Sequence, residues 1–172
     1  MNSTPATRPD PAPHYRAVAA AMALPGQPGA SLAAIDTALN GAIGHKLFTV
    51  LAVNWDRMEN QRYYSNMPDA YKVGGSKPIV PDSPSMRDVI IAGKCRINHD
   101  YAELSAAFFD HELIRTLGCE SSINVPVRWN GQTIGMLNLL HETGYYDEAD
   151  IPMLSVFAGL AVPALLDIIK TW

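Results

Sequence analysis

Apolar positions along the chain change their spacing several times, and each change marks an element. His14 to Leu24 is rich in alanine and reads as a short helix ending at Pro25-Gly26, with a further turn at Pro28-Gly29. Leu32, Ile35, Leu39 and Ile43 then recur at helical spacing on one stripe, so a second helix runs from a Ser31 cap to about Ile43 and stops at Gly44. Leu47 to Trp55 is mostly apolar and predicts a strand; after the polar tip Asp56 to Asn60, Gln61 to Asn66 predicts its antiparallel partner. Residues 67 to 84 hold four prolines and two glycines. They predict a long ordered loop, of the kind that lines binding sites in compact domains. Pro84 to Ala92 predicts a short helix, Cys95 to Asn98 a short strand, and Tyr101 to Leu117 one or two short helices ended by Gly118.

From Cys119 to Ala161 the pattern is strand, tight turn, strand and helix. Asn130-Gly131 separates two apolar runs, and a two-residue type I′ turn needs positive φ at both positions, which Asn and Gly tolerate best. With those two residues as the loop, Ser122 lies opposite Leu139, Asn124 opposite Leu137, Pro126 opposite Gly135 and Glu120 opposite His141. The other face carries Ile123, Val125 and Val127 with Ile134, Met136 and Asn138, and is almost wholly apolar. In the terminal helix, Ile151 to Ile169, a seam of Ile151, Leu154, Ala158, Ala161, Leu165 and Ile168 is flanked by Phe157, Leu160 and Ala164. A helix apolar on more than one side needs more than one cover. One cover is the sheet; the other is the N-terminal helix or the equivalent helices of a second copy, with a homodimer preferred. Pro163 is expected to kink this helix.

The hairpin and helix together resemble the second half of a GAF domain. The residues that carry the resemblance are Val125-Pro126, Asn130-Gly131, Ile134-Gly135-Met136-Leu137-Asn138-Leu139, and Asp147-Glu148 ahead of Leu154. The likeness covers roughly residues 30 to 170. It implies an α/β (α+β) fold with a GAF/PAS-like central antiparallel sheet. N- and C-terminal helices would lie on one face, with short helices and loops over a pocket on the other.

Composition narrows the function classes. A chain of 172 residues, 48% hydrophobic and 17% charged, is long enough for one domain with a sizeable core. The Pro-rich residues 1–13 are expected to be disordered, leaving 14–172 as a single domain. A net charge of -4 with scattered Lys and Arg gives no basic stripe, which argues against nucleic acid. Two cysteines are too few for a disulfide scaffold. No apolar run approaches the roughly 18 residues of a membrane span. Tyr15 to Leu24 could pass for a feeble signal peptide, but Asp10 and four prolines precede it, so the cytoplasm is the expected location.

Candidate chemistry gathers in two places. Arg62, Tyr63, Tyr64, Ser65, Asn66, Tyr71 and Lys77 form a polar and aromatic cluster in the second strand and the loop after it. A guanidinium that can fork onto a carboxylate, with rings beside it, suits a small anionic ligand; the alternative is surface and interface tyrosines with a solvated lysine. On the hairpin, Ser122, Asn124 and His141 are the polar groups of the expected pocket face, and a buried Asn must find partners on protein or ligand. His99-Asp100, Asp110-His111-Glu112, His141 and Cys119 lack paired metal-ligand spacing, so no metal is expected, and Asp100 or Asp110 reads better as a helix N-cap.

Some single-domain members of the GAF family resemble free methionine sulfoxide reductases, which need an exposed low-pKa thiolate. Cys95 and Cys119 do not match that pattern by position and read as buried small hydrophobes. Bilin attachment to a Cys-His pair is not matched, since Arg96 and Glu120 follow the cysteines. The cyclic-nucleotide signature is incomplete, with Leu139 where a Lys belongs. The leading expectation is a sensory or regulatory module that holds a small, anionic metabolite and signals through a helical homodimer interface. No stretch is left for an output domain, so output would pass to a separate protein. The alternatives are a thiol-dependent enzyme of the reductase type and a protein-interaction module without ligand. The resemblance names no cofactor.

Overall fold

The computed structural model describes residues 8–172. Among the described residues, five α-helices and six strands follow one another: α1 (Ala12–Met22), α2 (Gly29–Ala42), β1 (Leu47–Asn54), β2 (Glu59–Ser65), β3 (Ser76–Pro78), β4 (Arg96–Asn98), α3 (Tyr101–Ala107), α4 (His111–Thr116), β5 (Ser121–Trp129), β6 (Gln132–His141) and α5 (Ile151–Ile169). A π-helical turn at Met86–Ile91 precedes β4, and a 3-10 turn at Glu148–Asp150 leads into α5. The strands make one sheet in the order β3-β2-β1-β6-β5-β4, each neighbouring pair antiparallel. This is the α+β architecture expected from the sequence.

Helices α1, α2 and α5 pack on one face of the sheet around one continuous apolar core, which includes Phe48, Val50, Val125, Leu137, Leu139, Phe157 and Leu165. Gly135 permits the close approach of α5: a Cβ there would collide with the Leu51 carbonyl and the Leu165 side chain. The second cover of α5 comes from the same chain. Tyr15 of α1 meets Phe157 edge-on with centroids 4.9 Å apart and donates its hydroxyl to the Met153 carbonyl at 3.3 Å. Of the seam, Leu154, Ala158, Ala161, Leu165 and Ile168 are buried in the core shared with the sheet and α2, and Ile151 is half-buried. By length and composition α5 is apolar enough to cross a membrane, contrary to the expectation of no such run; in this fold it is the core helix on the sheet. It continues through Pro163, which lies on its exposed side and removes one helical hydrogen bond.

Several local expectations are corrected. Ser31 lies inside α2 rather than capping it, and its hydroxyl donates to Gln27 Oε1 at 2.6 Å. The long loop carries the edge strand β3, paired with β2. Of the segment expected to be disordered, residues 1–7 lie outside the described residues, whereas α1 already starts at Ala12. Arg8 is held by Asp150 through two oxygens at 2.9 and 3.1 Å and by the carbonyls of Ile43 and Tyr145. A bidentate guanidinium pair with a buried carboxylate fixes the chain there in spite of the prolines.

Two β-bulges decide which side chains face which layer. Asn130 (φ 47°) and Gly131 (φ 82°) form the expected turn. The first pairs of the hairpin, Trp129 with Gln132 and Arg128 with Thr133, keep the expected register. Between Val127 and Arg128 the register slips by one, so Asn124 faces Asn138, Ser122 faces Leu140 and Ser121 faces His141. A one-residue slip exchanges the faces of every later residue on β6. A second bulge, between Val50 and Leu51, sets Val50 against Tyr64 and Leu51 against Arg62 and leaves Tyr63 as the extra residue.

Candidate ligand cavity

The sheet face away from the three long helices carries two small apolar clusters instead of one core. One contains Leu47, Tyr71, Leu104, Ile114, Cys119 and Leu140; the other contains Leu51, Val53, Ile79, Val89, Ile90 and Met136. Between them lies a cavity of about 80 Å³ whose lining draws on both. That space holds several waters or one small ligand.

The floor is a polar row across three adjacent strands. Asn124 of β5, Asn138 of β6 and Thr49 of β1 sit in register, because the hairpin bulge turned Asn138 to this face. Asn124 Nδ2 donates to Asn138 Oδ1 at 2.6 Å, and Asn138 Nδ2 donates to Thr49 Oγ1 at 3.2 Å. The wall comes from β2, β3 and the loop between them. The Arg62 guanidinium lies over the Tyr71 ring, 3.8 Å from its centroid, and Nη1 donates to the Lys72 carbonyl at 2.7 Å. Tyr71 Oη in turn donates to Asp110 Oδ2 at 2.7 Å, and Lys77 Nζ donates to the same oxygen at 3.5 Å. Lys77 also stands 4.1 Å above the Phe109 ring. The roof is the end of α3 and the turn after it, with Ala107, Phe108 and Phe109, together with Ser83, Ser85 and Met86; Asp110 follows in that turn, behind Tyr71 and Lys77.

Burial sets the electrostatics. It raises the Tyr71 hydroxyl well above its ordinary value, with the Asp110 charge adding and the Arg62 charge opposing. It also lowers the Lys77 ammonium below its ordinary value, against the favourable pull of Asp110. Most informative are the groups left without partners. Among the described residues, one such atom, His45 Nδ1 beside Phe48, is on the helical face; on the cavity face, Asn60 Nδ2, Arg62 Nε, Asp110 Oδ1 and Asn124 Oδ1 are buried with no hydrogen-bond partner in the protein. All four residues line the cavity or, for Asp110, bond to side chains that line it. Each such atom costs about 1–3 kcal/mol while unpaired. A ligand or trapped water is the physical way to recover that cost.

The residues proposed from sequence divide between this cavity and elsewhere. Arg62, Tyr71, Lys77 and Asn124 meet at it. Tyr64 does not: the bulge on β1 and β2 turns it to the helical layer, where its hydroxyl donates to Asp36 Oδ2 at 2.6 Å. His141 is on that layer as well, stacked on Tyr145 with centroids 3.5 Å apart, and burial lowers its pKa. Ser122 is on the cavity side of the sheet but accepts from Asn98 Nδ2 at 2.8 Å, beyond the lining.

Asn60, Thr49, Asn138 and Asp110 were missed. Asp100 caps α3 by accepting from the Glu103 N–H at 2.9 Å, whereas Asp110 makes no cap bond to α4 and turns to Tyr71 and Lys77. Its signal was present in the sequence as an acid following Phe108-Phe109 between two short helices. No group of three metal-ligating side chains occurs among the described residues. Neither cysteine lines the cavity, and burial raises both thiols, Cys119 to about 11.

Comparison with known proteins agrees with this geometry. A GAF domain family model matches residues 16–165. No curated protein matches the chain in sequence. Solved structures similar in fold include the GAF domain of a phosphoenolpyruvate-protein phosphotransferase from Coxiella burnetii, 12% identical, covering 94% of this chain and 95% of that one at a TM-score of 0.75. The GAF domain of the Acinetobacter phosphoenolpyruvate-protein phosphotransferase is 11% identical, covers 92% and 93%, and gives a TM-score of 0.72. A free methionine-R-sulfoxide reductase from Neisseria meningitidis, in complex with its substrate, is 18% identical, covers 100% of both chains and gives 0.66. At these identities the likeness is one of fold. With the family model spanning most of the described chain, from α1 to α5, the protein belongs to the GAF domain family.

Proposed function

We propose that this GAF domain is a cytoplasmic regulatory module that reversibly holds a small anionic metabolite in the cavity between β2, β3, β5, β6 and the turn after α3. The observation that carries this reading is that three residues lining one cavity, Asn60, Arg62 and Asn124, each hold a buried, unpartnered polar atom, with a fourth on Asp110 behind the lining side chains Tyr71 and Lys77. A cavity destined to be filled by the protein's own side chains would have those atoms paired. Arg62 and Lys77 favour an anion, and the apolar lining from Leu51, Met136, Leu140 and Phe108 supplies contact area.

Binding is proposed to order residues 67–84, which contribute Tyr71 and Lys77, and to bias the packing of α5. The route runs through β2, because Arg62 faces the cavity while Tyr63 Oη accepts from the Trp172 indole at 2.7 Å beyond the end of α5. Only a ligand with different affinity for two packings can signal in this way. Homodimerisation would use the exposed stripe of α5 around Pro152, Val156, Gly159 and Pro163, with output in a partner protein. Native mass spectrometry of the protein as purified tests both parts. A retained small molecule that native-state hydrogen exchange links to protection of residues 67–84 supports the reading. A ligand-free protein with no change in that loop across a panel of metabolite acids would sink it.

The Neisseria likeness keeps one other reading in play, a thiol-dependent reductase. The elevated thiols of Cys95 and Cys119, away from the cavity, weigh against it, since the nucleophile in such chemistry is the thiolate. Replacing both cysteines with alanine separates the two: a reductase loses turnover, whereas the binding module keeps its ligand.

A further inference from the structure

We infer that the ligand of this cavity is a small amino acid, bound as a zwitterion, rather than a simple anion. The inference rests on the ligand-binding reading above and narrows it to one chemical class. The unpartnered atoms are of both kinds. Asn60 Nδ2 and Arg62 Nε are donors, which an acid group satisfies; Asp110 Oδ1 and Asn124 Oδ1 are acceptors, which it does not. Asn60 and Asn124 are 2% and 1% exposed, so solvent does not satisfy them from outside.

Asn124 alone would not decide the matter. Its amide can turn over and present nitrogen to the cavity, with Asn138 and the Thr49 hydroxyl reversing their own bonds in step. Asp110 has no such freedom, because an ionised carboxylate only accepts. Its Oδ2 already takes bonds from Tyr71 and Lys77, leaving Oδ1 without a donor. An acceptor-only ligand would leave that oxygen unpaired and would add repulsion between two negative groups in a site of low dielectric. A ligand carrying an ammonium group beside its carboxylate removes both difficulties. The carboxylate goes to Arg62 Nε and Asn60 Nδ2, and the ammonium to Asp110 Oδ1.

The charges agree with this division. Lys77 is engaged with Asp110 and the Phe109 ring, so Arg62 is the cation available to the carboxylate. Its plane is already fixed by Tyr71 and by the Lys72 carbonyl, so little side-chain freedom is lost on binding. A cavity of about 80 Å³ suits a molecule of this size.

The test is calorimetric titration of the protein with the twenty proteinogenic amino acids. The tightest binder is then compared with its deaminated acid and its decarboxylated amine. The expected result is that both truncated forms bind about tenfold or more weakly, each having lost one charge-assisted contact. Asp110→Asn should weaken the amino acid by a similar factor and leave the deaminated acid unchanged or tighter. Arg62→Gln should give the mirror result, sparing the amine and weakening the acid, and it serves independently should the Asp110 variant fail to fold. If the deaminated acid binds as tightly as the amino acid, or Asp110→Asn affects neither, the zwitterion inference is overturned while the anion reading stands. If no amino acid, acid or amine binds, both fall together.

Discussion

The two faces of the sheet are made by the same strands and obey opposite rules. Toward α1, α2 and α5 the side chains form one uninterrupted apolar core, sealed by α5 pressing on Gly135. Toward the loops the apolar residues split into two clusters, with a polar row of Asn124, Asn138 and Thr49 between them. β1 shows the contrast within one strand: Phe48, Val50 and Ala52 serve the core, while Thr49 and Leu51 line the cavity. The difference teaches that stability is concentrated on one side, where among the described residues His45 Nδ1 is the unpaired buried atom, which leaves the other side free to keep four. A protein that placed those atoms in its main core would lose a large share of its marginal stability.

The largest break in the comparison comes from cutting into the helical face. Phe157→Ala removes a fully buried ring that touches Tyr15 and is expected to cost about 3–5 kcal/mol in chemical denaturation while changing ligand affinity by much less, since the proposed coupling of α5 to the cavity runs only through β2. A loss of affinity comparable to the loss of stability would show that the two faces are not separable.

Alkaline pH acts on both faces at once. Burial raises Tyr71 on the cavity side and Tyr146 on the helical side above their ordinary value of 10.0. Above pH 10 the unfolded chain releases these protons while the folded one keeps them, so stability falls with rising pH by about 1.4 kcal/mol per unit for each. Lys77, lowered by burial, works in the other direction only up to its ordinary 10.5. Denaturation at pH 10.5 and 11 should therefore show a slope that Tyr71→Phe and Tyr146→Phe each reduce. A slope untouched by either variant would mean that these hydroxyls do not govern the alkaline limit.

The smallest effect sharpens the comparison most. Asn60→Leu removes a buried donor without a partner and is expected to leave stability unchanged or raise it by up to about 1 kcal/mol, at the expense of ligand affinity. A clear destabilisation in thermal melts would assign the Asn60 amide a structural role instead.

The order of elements and the hairpin turn were legible in the sequence because they depend on local chemistry. Asn130-Gly131 needs no distant partner to adopt positive φ, and the stripe of Leu32, Ile35 and Leu39 is buried as its spacing required. The candidate site was legible only in part. Arg62, Tyr71, Lys77 and Asn124 came together, whereas Tyr64 and His141 went to the other face. Both departures share one cause, a single extra residue in a strand that turns every later side chain over. Asp110 was lost for a different reason. An acid ahead of a short helix reads as a cap until its neighbours in space are known, and those neighbours, Tyr71 and Lys77, lie more than thirty residues away in the chain.

By itself the sequence determined most of the helix and strand segments, though not the edge strand β3, that the hairpin turns at Asn130-Gly131, and that the terminal helix must be covered on more than one side. Periodicity and turn chemistry are properties of a few consecutive residues, and they survive without knowledge of the rest. Only the tertiary structure decided that α1 and α2 supply that cover, that Asn138 joins Asn124 on the cavity floor, and that Asp110 holds the wall residues Tyr71 and Lys77 from behind. Register slips and long-range pairings depend on how the sheet packs as a whole, and no local pattern carries that information.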